Sequence, residues 1–200
     1  MRLVYLSPVP WKSFAQRPHK FVEWFHASTK GEVLWINPYP TRLPEFGDFC
    51  RRKPDSFAHA KTPDWLQVIQ PRALPVEPLP GLGVVNQAFW KSVFAEIGSF
   101  VGQRHVCLLG IGKPSGLAVQ VLQKFPSLFS FYDAMDDFPA FYSGLSRWRM
   151  ECNEKICAQS ADRILVSSTA LQRKYSVFQN KIVRSEERRV GKECRSRWQP

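Results

Sequence analysis

Residues 2–7 (RLVYLS), 19–28 (HKFVEWFHAS) and 32–37 (EVLWIN) decide the fold. The two outer runs are short, aliphatic and aromatic, and read as strands. The middle run puts Phe21, Val22, Trp24 and Phe25 near one side of a helix, the spacing of an amphipathic segment. Strand, helix and strand in succession make one βαβ unit, in which the strands run parallel and the helix packs across them.

The same alternation recurs outward from this unit. Residues 38–80 are rich in proline and poor in periodicity; within them 65–70 (WLQVIQ) reads as a strand, and Pro71, Pro75, Pro78 and Pro80 mark an extended crossover. Residues 84–101 set Val85, Phe89, Val93, Phe94, Ile97 and Val101 three or four apart, a helical stripe, and 105–109 (HVCLL) follows as a buried strand. A short helix at 116–125, a strand at 128–132 (LFSFY), a helix at 148–161, a strand at 163–167 (RILVS) and a helix at 169–178 complete the series. Six strands with intervening helices predict an α/β protein built on a doubly wound, mostly parallel, Rossmann-like sheet.

Composition agrees with a globular domain. The 200 residues are 44% hydrophobic and 22% charged, too apolar for a disordered chain and long enough for one good-sized core. The net charge is +11, so the surface should attract phosphate-bearing partners. No run approaches the roughly 20 apolar residues that span a bilayer, and residues 1–6 lead straight into a strand pattern, so a cytoplasmic location is expected. The five cysteines, Cys50, Cys107, Cys152, Cys157 and Cys194, are scattered with no CxxC pair. They read as reduced thiols acting as small apolar residues.

Residues 184–200 differ from the rest: they are dense in charge and carry no apolar stripe of either period. Residues 184–198 resemble the in-frame translation of a common sequencing adapter over all fifteen positions. The segment is read as a non-native, disordered tail, and residues 1–183 as one domain. Six basic and three acidic residues in the tail contribute +3 of the charge, which leaves +8 on residues 1–183.

In an open parallel sheet, ligands bind beyond the carboxyl ends of the strands, so the loops after the strands are the places to search. Residues 8–19 (PVPWKSFAQRPH) hold Lys12, Gln16, Arg17 and His19 just before a helix N-terminus, a position that favours a phosphate or carboxylate. The same residues would also serve as a plain polar helix start. Residues 133–137 (DAMDD) carry Asp133, Asp136 and Asp137 after an apolar strand; clustered acids repel, which raises the pKa of one toward a general base, unless one simply caps a turn. Residues 110–116 (GIGKPSG) offer Gly112 and Lys113 for close approach to a ligand, or a plain turn. Neither GxGxxG nor GxxxxGK occurs, which argues against a dehydrogenase or an NTPase. His26, His59 and His105 show no metal-ligand spacing, and no metal is assigned.

Three segments together resemble the N-terminal domain of bacterial GT-B glycosyltransferases of the family-4-like kind, especially the teichuronic-acid and exopolysaccharide branch: residues 10–19 (PWKSFAQRPH) after the first strand, 132–138 (YDAMDDF), and 154–171 (EKICAQSADRILVSSTAL). The resemblance implies the acceptor-side half of an enzyme that moves a sugar from a nucleotide-sugar donor to an acceptor hydroxyl, in a chain cut before its second domain and inactive alone. It implies Asp136 or Asp137, or else Asp133, as the base. It also implies Gln16, Arg17 and His19 on the donor diphosphate or an anionic acceptor, where cations replace a metal. No cofactor is implied, since the nucleotide sugar is a substrate. The glycine-rich turn that many GT-B enzymes carry after the first strand is missing here.

A glycan or lipid-linked acceptor would bring the domain to the inner face of the membrane, where the basic surface and exposed tryptophans among Trp11, Trp35 and Trp90 would touch anionic lipid; Trp35 and Trp90 are read as core instead. Two other classes compete. A non-catalytic doubly wound regulatory domain would use the acidic loop for a cation or phosphate, as receiver domains do, but their acids follow the first strand, where this chain has basic residues. A nucleic-acid-binding module would suit the charge, yet no recognition helix or RNP-type motif is present, and no nucleic-acid partner is expected.

Overall fold

The computed structural model of this chain describes residues 1–43, 62–79, 81–102 and 106–184. Seven strands form one parallel sheet: β1 (Arg2–Leu6), β2 (Glu32–Ile36), β3 (Leu66–Ile69), β4 (Cys107–Ile111), β5 (Phe129–Ala134), β6 (Arg163–Val166) and β7 (Ile182–Arg184), in the order β3-β2-β1-β4-β5-β6-β7. The helices are α1 (Arg17–Thr29), α2 (Val85–Val101), α3 (Gly116–Lys124), α4 (Gly144–Ser160) and α5 (Thr169–Lys174). The doubly wound Rossmann-like α/β fold expected from the sequence is the one present.

Alternate residues along each strand divide the core in two. Val4, Leu6, Leu34, Ile36, Leu109, Ile111, Tyr132, Ile164 and Val166 face one way and pack with Trp90, Phe94 and Ile97 of α2, Leu117 and Val121 of α3, and Cys157 of α4. Leu3, Tyr5, Val33, Trp35, Leu66 and Phe131 face the other way and meet Val22 and Phe25 of α1. Burial on both faces explains why the strands read as continuous apolar runs. Trp35 and Trp90 are buried, as read from the sequence; Trp11 is half-buried against His19 and Trp35.

Several boundaries move. The fourth strand runs two residues beyond 109, because Gly110 remains in the ladder and its missing side chain leaves room for the Tyr5 and Phe131 rings. A glycine inside a strand pattern thus marks a close approach rather than the start of a loop. β5 likewise continues through Asp133, whose charge is met by partners across the sheet. α4 starts at Gly144, α5 stops at Lys174, and a 3-10 turn covers Ser176–Lys181.

β7 escapes periodicity analysis at three residues, and it takes in Arg184, the first residue assigned to the tail; Arg184 pairs with Val166. Residues 185–200 lie outside the described residues. Among the described residues, no helix is long and apolar enough to cross a membrane.

Among the described cysteines, Cys107, Cys152 and Cys157 are free thiols. Burial pushes the Cys107 and Cys157 thiols above their ordinary pKa. Both act as the small apolar residues expected of them.

A Cβ on Gly110 would lie 2.5 Å from Tyr5 Cδ2 and 2.6 Å from Phe131 Cζ, whereas one on Gly98, exposed in α2, meets nothing within 4 Å. Gly110→Ala should therefore destabilise by about 1–3 kcal/mol through overpacking, and Gly98→Ala should stabilise by about 0.5–1 kcal/mol through helix propensity. Urea denaturation of the two variants measures both; equal midpoints would contradict the packing described.

Candidate functional site

The chain leaves β1 toward β2 on one side, and β4 returns to pair with β1 on the other. The strand order therefore reverses at β1, and the crevice beyond the carboxyl ends of β1 and β4 is where such sheets bind ligands. Here Leu6, Ser7, Ile36, Asn37, Lys113 and Ser115 form a narrow cleft. It adjoins a wider cavity of about 440 Å3 lined by Tyr39, Pro40, Thr41, Arg42, Pro75, Lys113 and Tyr142. Lys113 is half-buried with its ammonium 5.8 Å from the centre of the Tyr142 ring, and the Tyr142 and Thr41 hydroxyls are 3.3 Å apart. A cation held over an aromatic face, with hydroxyls beside it, suits an anionic or polyhydroxylated ligand.

The loop after β1 is tied down on the other face of the sheet. Asn37 Oδ1 accepts from the Trp11 amide at 2.9 Å and from Trp35 Nε1 at 3.0 Å. His19 is 4% exposed; its Nδ1 accepts from the Gln16 amide at 3.2 Å, its Nε2 lies 3.1 Å from the Trp11 carbonyl, and its ring packs on Trp11 and Trp35. The neutral tautomer with the proton on Nε2 satisfies both contacts. His19 is consequently a lock on the loop, and Gln16, the N-cap of α1, belongs to the same lock. His19 is buried, Gln16 is half-buried at the start of α1, and Lys12 is exposed on the loop.

Arg17 opens α1, and its Nη2 lies 2.9 Å from Asp133 Oδ1. Asp133 is 1% exposed, and its other oxygen accepts from the Tyr5 hydroxyl at 3.0 Å. Burial, followed by the Asp133 charge, pushes the Tyr5 phenol well above its ordinary pKa, so it stays protonated and donates. The Tyr5 oxygen also lies 2.9 Å from where a Cβ on Gly112 would sit, and the Gly112 amide donates to the Leu6 carbonyl at 2.8 Å. Gly112 is thus needed for the turn after β4 to pass over β1. The basic segment, the acidic segment and that turn meet around one phenol.

The three aspartates do not form one cluster. Asp133 belongs to the strand and to Arg17; Asp137 pairs with Lys174 Nζ at 2.6 Å, and Lys174 also reaches Glu154; Asp136 is exposed. Mutual repulsion therefore does not set their chemistry, because each carboxylate has its own surroundings. Asp136 and Asp137 are both exposed, and of the two only Asp137 forms an ion pair, with Lys174, among the described residues.

Sequence reasoning missed Glu77 entirely. It is 2% exposed: Oε1 accepts from the Gly116 amide at 2.7 Å and from Asn153 Nδ2 at 2.8 Å, and Oε2 accepts from the Tyr39 hydroxyl at 2.7 Å. The Tyr39 oxygen in turn accepts from the Leu117 amide at 3.0 Å. Glu77 and Tyr39 so occupy the positive N-terminus of α3, and its first amides are not offered to an outside anion. A lone acid inside the proline-rich stretch 71–80 was the available signal.

No protein-family model matches the chain, and no curated protein matches its sequence. Among the described residues, no group of three or more histidine, cysteine, aspartate or glutamate side chains is placed to hold a metal ion.

The Arg17 and Asp133 pair can be tested directly. Arg17→Met leaves a buried carboxylate without its cation and should destabilise by about 2–4 kcal/mol, while Asp133→Asn and the double variant should show coupling above about 1 kcal/mol. A double-mutant cycle by chemical denaturation measures this, and additive effects would contradict the pairing.

Proposed function

We propose that this chain is the acceptor-side half of a GT-B glycosyltransferase that moves a sugar from a nucleotide-sugar donor to an acceptor hydroxyl in the synthesis of a cell-surface polysaccharide. The observation that carries the reading is the crevice at the β1 and β4 reversal: it lies beyond the carboxyl ends of the strands, Lys113 and Tyr142 line it, and two of the segments that resemble the family, 10–19 after β1 and 132–138 at the end of β5, leave the sheet at that edge. In this reading the acceptor lies in the crevice with Lys113 against its anionic or hydroxyl groups. Asp136 takes the proton from the attacking hydroxyl, and Lys12 faces the donor diphosphate. Arg17 and His19 hold the loops in place. Asp137 is held by Lys174, and Asp133 by Arg17, which leaves Asp136 as the base.

Peripheral contact with anionic lipid belongs to the same reading. It falls to Phe14 and Trp24, which are 65% and 62% exposed, and not to Trp35 or Trp90 in the core.

The nucleotide would sit mostly on a second domain. The source genome's reading frame beyond Val183 is accordingly expected to encode further βα units, and the protein carrying them should transfer sugar. In that protein Asp136→Asn should lower kcat by about 100-fold or more, with Lys113→Ala raising the KM for acceptor. Turnover of a nucleotide sugar by residues 1–200 alone, or full activity in Asp136→Asn, would overturn the proposal.

A further inference from the structure

The wide part of the crevice is lined by two charged residues, Arg42 and Lys113, and both are cations. Among the described residues, no carboxylate and no side-chain amide lines it. Lysine and arginine donate hydrogen bonds and accept none. The hydroxyls of the wall are already engaged: Tyr39 donates to Glu77 Oε2 at 2.7 Å and accepts from the Leu117 amide at 3.0 Å, and those of Thr41 and Tyr142 lie 3.3 Å apart. A neutral sugar both donates and accepts, so it needs carboxylates or amides to take its hydroxyl hydrogens, whereas an anionic group only accepts. The side chains of this wall suit the second.

The surroundings of Lys113 point to the same class. It is half-buried, its ammonium lies 5.8 Å from the centre of the Tyr142 ring, and among the described residues no carboxylate is within ion-pair distance of it. Arg17 and Lys174, at the same edge of the sheet, are by contrast answered by Asp133 and Asp137. A half-buried ammonium beside a cavity gains most from an anion that enters it, because partial exclusion of water strengthens the pair. The N-terminus of α3 does not compete for that anion, since Glu77 and Tyr39 occupy it. Tyr142, Pro40 and Pro75 leave an apolar surface for the carbon face of a ring, and a volume of about 440 Å3 is within the range of small-molecule sites.

We propose that the crevice selects an acidic sugar, a pyranose that bears a carboxylate or a phosphate, with the anion on Lys113 and Arg42 and the ring against Tyr142. The preference for negative charge comes from the wall, while the choice of a sugar as its carrier rests on the glycosyltransferase reading. The acceptor then brings its own charge to the site, and neutral sugars of the same size bind weakly.

Calorimetric titration of the full chain with D-glucuronate, D-glucose 6-phosphate, D-glucose and inorganic phosphate tests this. Saturable binding of at least one acidic sugar is expected, about tenfold or more tighter than D-glucose or inorganic phosphate, and weaker as salt is raised. The tighter of the two acidic sugars tells whether carboxylate or phosphate is preferred. Lys113→Gln and Tyr142→Leu should each weaken that binding about tenfold or more, whereas Lys30→Gln, beyond the far end of α1, should leave it unchanged. If Tyr142→Leu fails to fold, as judged by thermal unfolding, Arg42→Gln takes its place. Absence of saturable binding by both acidic sugars would overturn the proposal, as would D-glucose or inorganic phosphate bound as tightly as either of them, or unchanged affinity in Lys113→Gln. The glycosyltransferase reading is judged separately, on the protein that carries the second domain. Transfer there to a neutral acceptor, with acidic sugars unbound, would keep that reading and overturn this one; acidic-sugar binding that depends on Lys113, in a protein that transfers no sugar, would do the reverse.

Discussion

The buried carboxylate of Asp133 organises the edge of the sheet where function is expected. A charge with 1% exposure persists only if other groups answer it, and here the answers come from the start of α1 and from β1. Arg17 supplies the cation, and Tyr5 supplies a phenol that burial keeps protonated. The first strand and the start of α1 are fixed by this contact to a strand more than a hundred residues further along the chain. Gly112 then lets the turn after β4 pass over the same phenol. The rim is built around a structural ion pair, with Lys113 and Tyr142 lining the crevice and the exposed Asp136 set outside it.

Glu77 does the corresponding work on the face covered by α2, α3 and α4. It brings the proline-rich crossover, the first turn of α3 and Asn153 of α4 onto one carboxylate, and through Tyr39 it closes the crevice from behind. The N-terminus of α3 is capped from within the chain by Glu77, Tyr39 and Ser115. The positive end of the helix is neutralised by the chain itself, and affinity for a ligand in the crevice has to come from side chains.

Much of this layout was legible in the sequence because apolar runs with period two and period 3.6 report burial directly. RLVYLS, EVLWIN and RILVS became strands, and the stripe from Val85 to Val101 became α2. Strand ends were less legible: Gly110 and Asp133 look like loop residues, yet tertiary partners, the Tyr5 and Phe131 rings for one and Arg17 for the other, hold them in the ladder. The candidate site was read in outline. Lys12, Arg17, Lys113 and the aspartates do fall at the carboxyl edge, but which of them are free for a ligand depends on pairings across the fold that no local pattern encodes. His19 looked like a ligand group and is a lock, while Tyr142, Tyr39 and Glu77 carried no local signal strong enough to single them out.

The account stands on the claim that Arg17 and Asp133 hold the loop after β1 and the turn after β4 as one unit. Amide hydrogen exchange in Arg17→Met, followed by NMR at Trp11, Gln16 and Gly112, reads this most directly, since the Gln16 and Gly112 amides donate within the unit and the Trp11 amide ties its loop to Asn37. Faster exchange at all three amides, with the amides of β2 and β3 unchanged, is the predicted result. Protection at Gly112 equal to that of the parent chain would show that the two loops are held independently, and would contradict it.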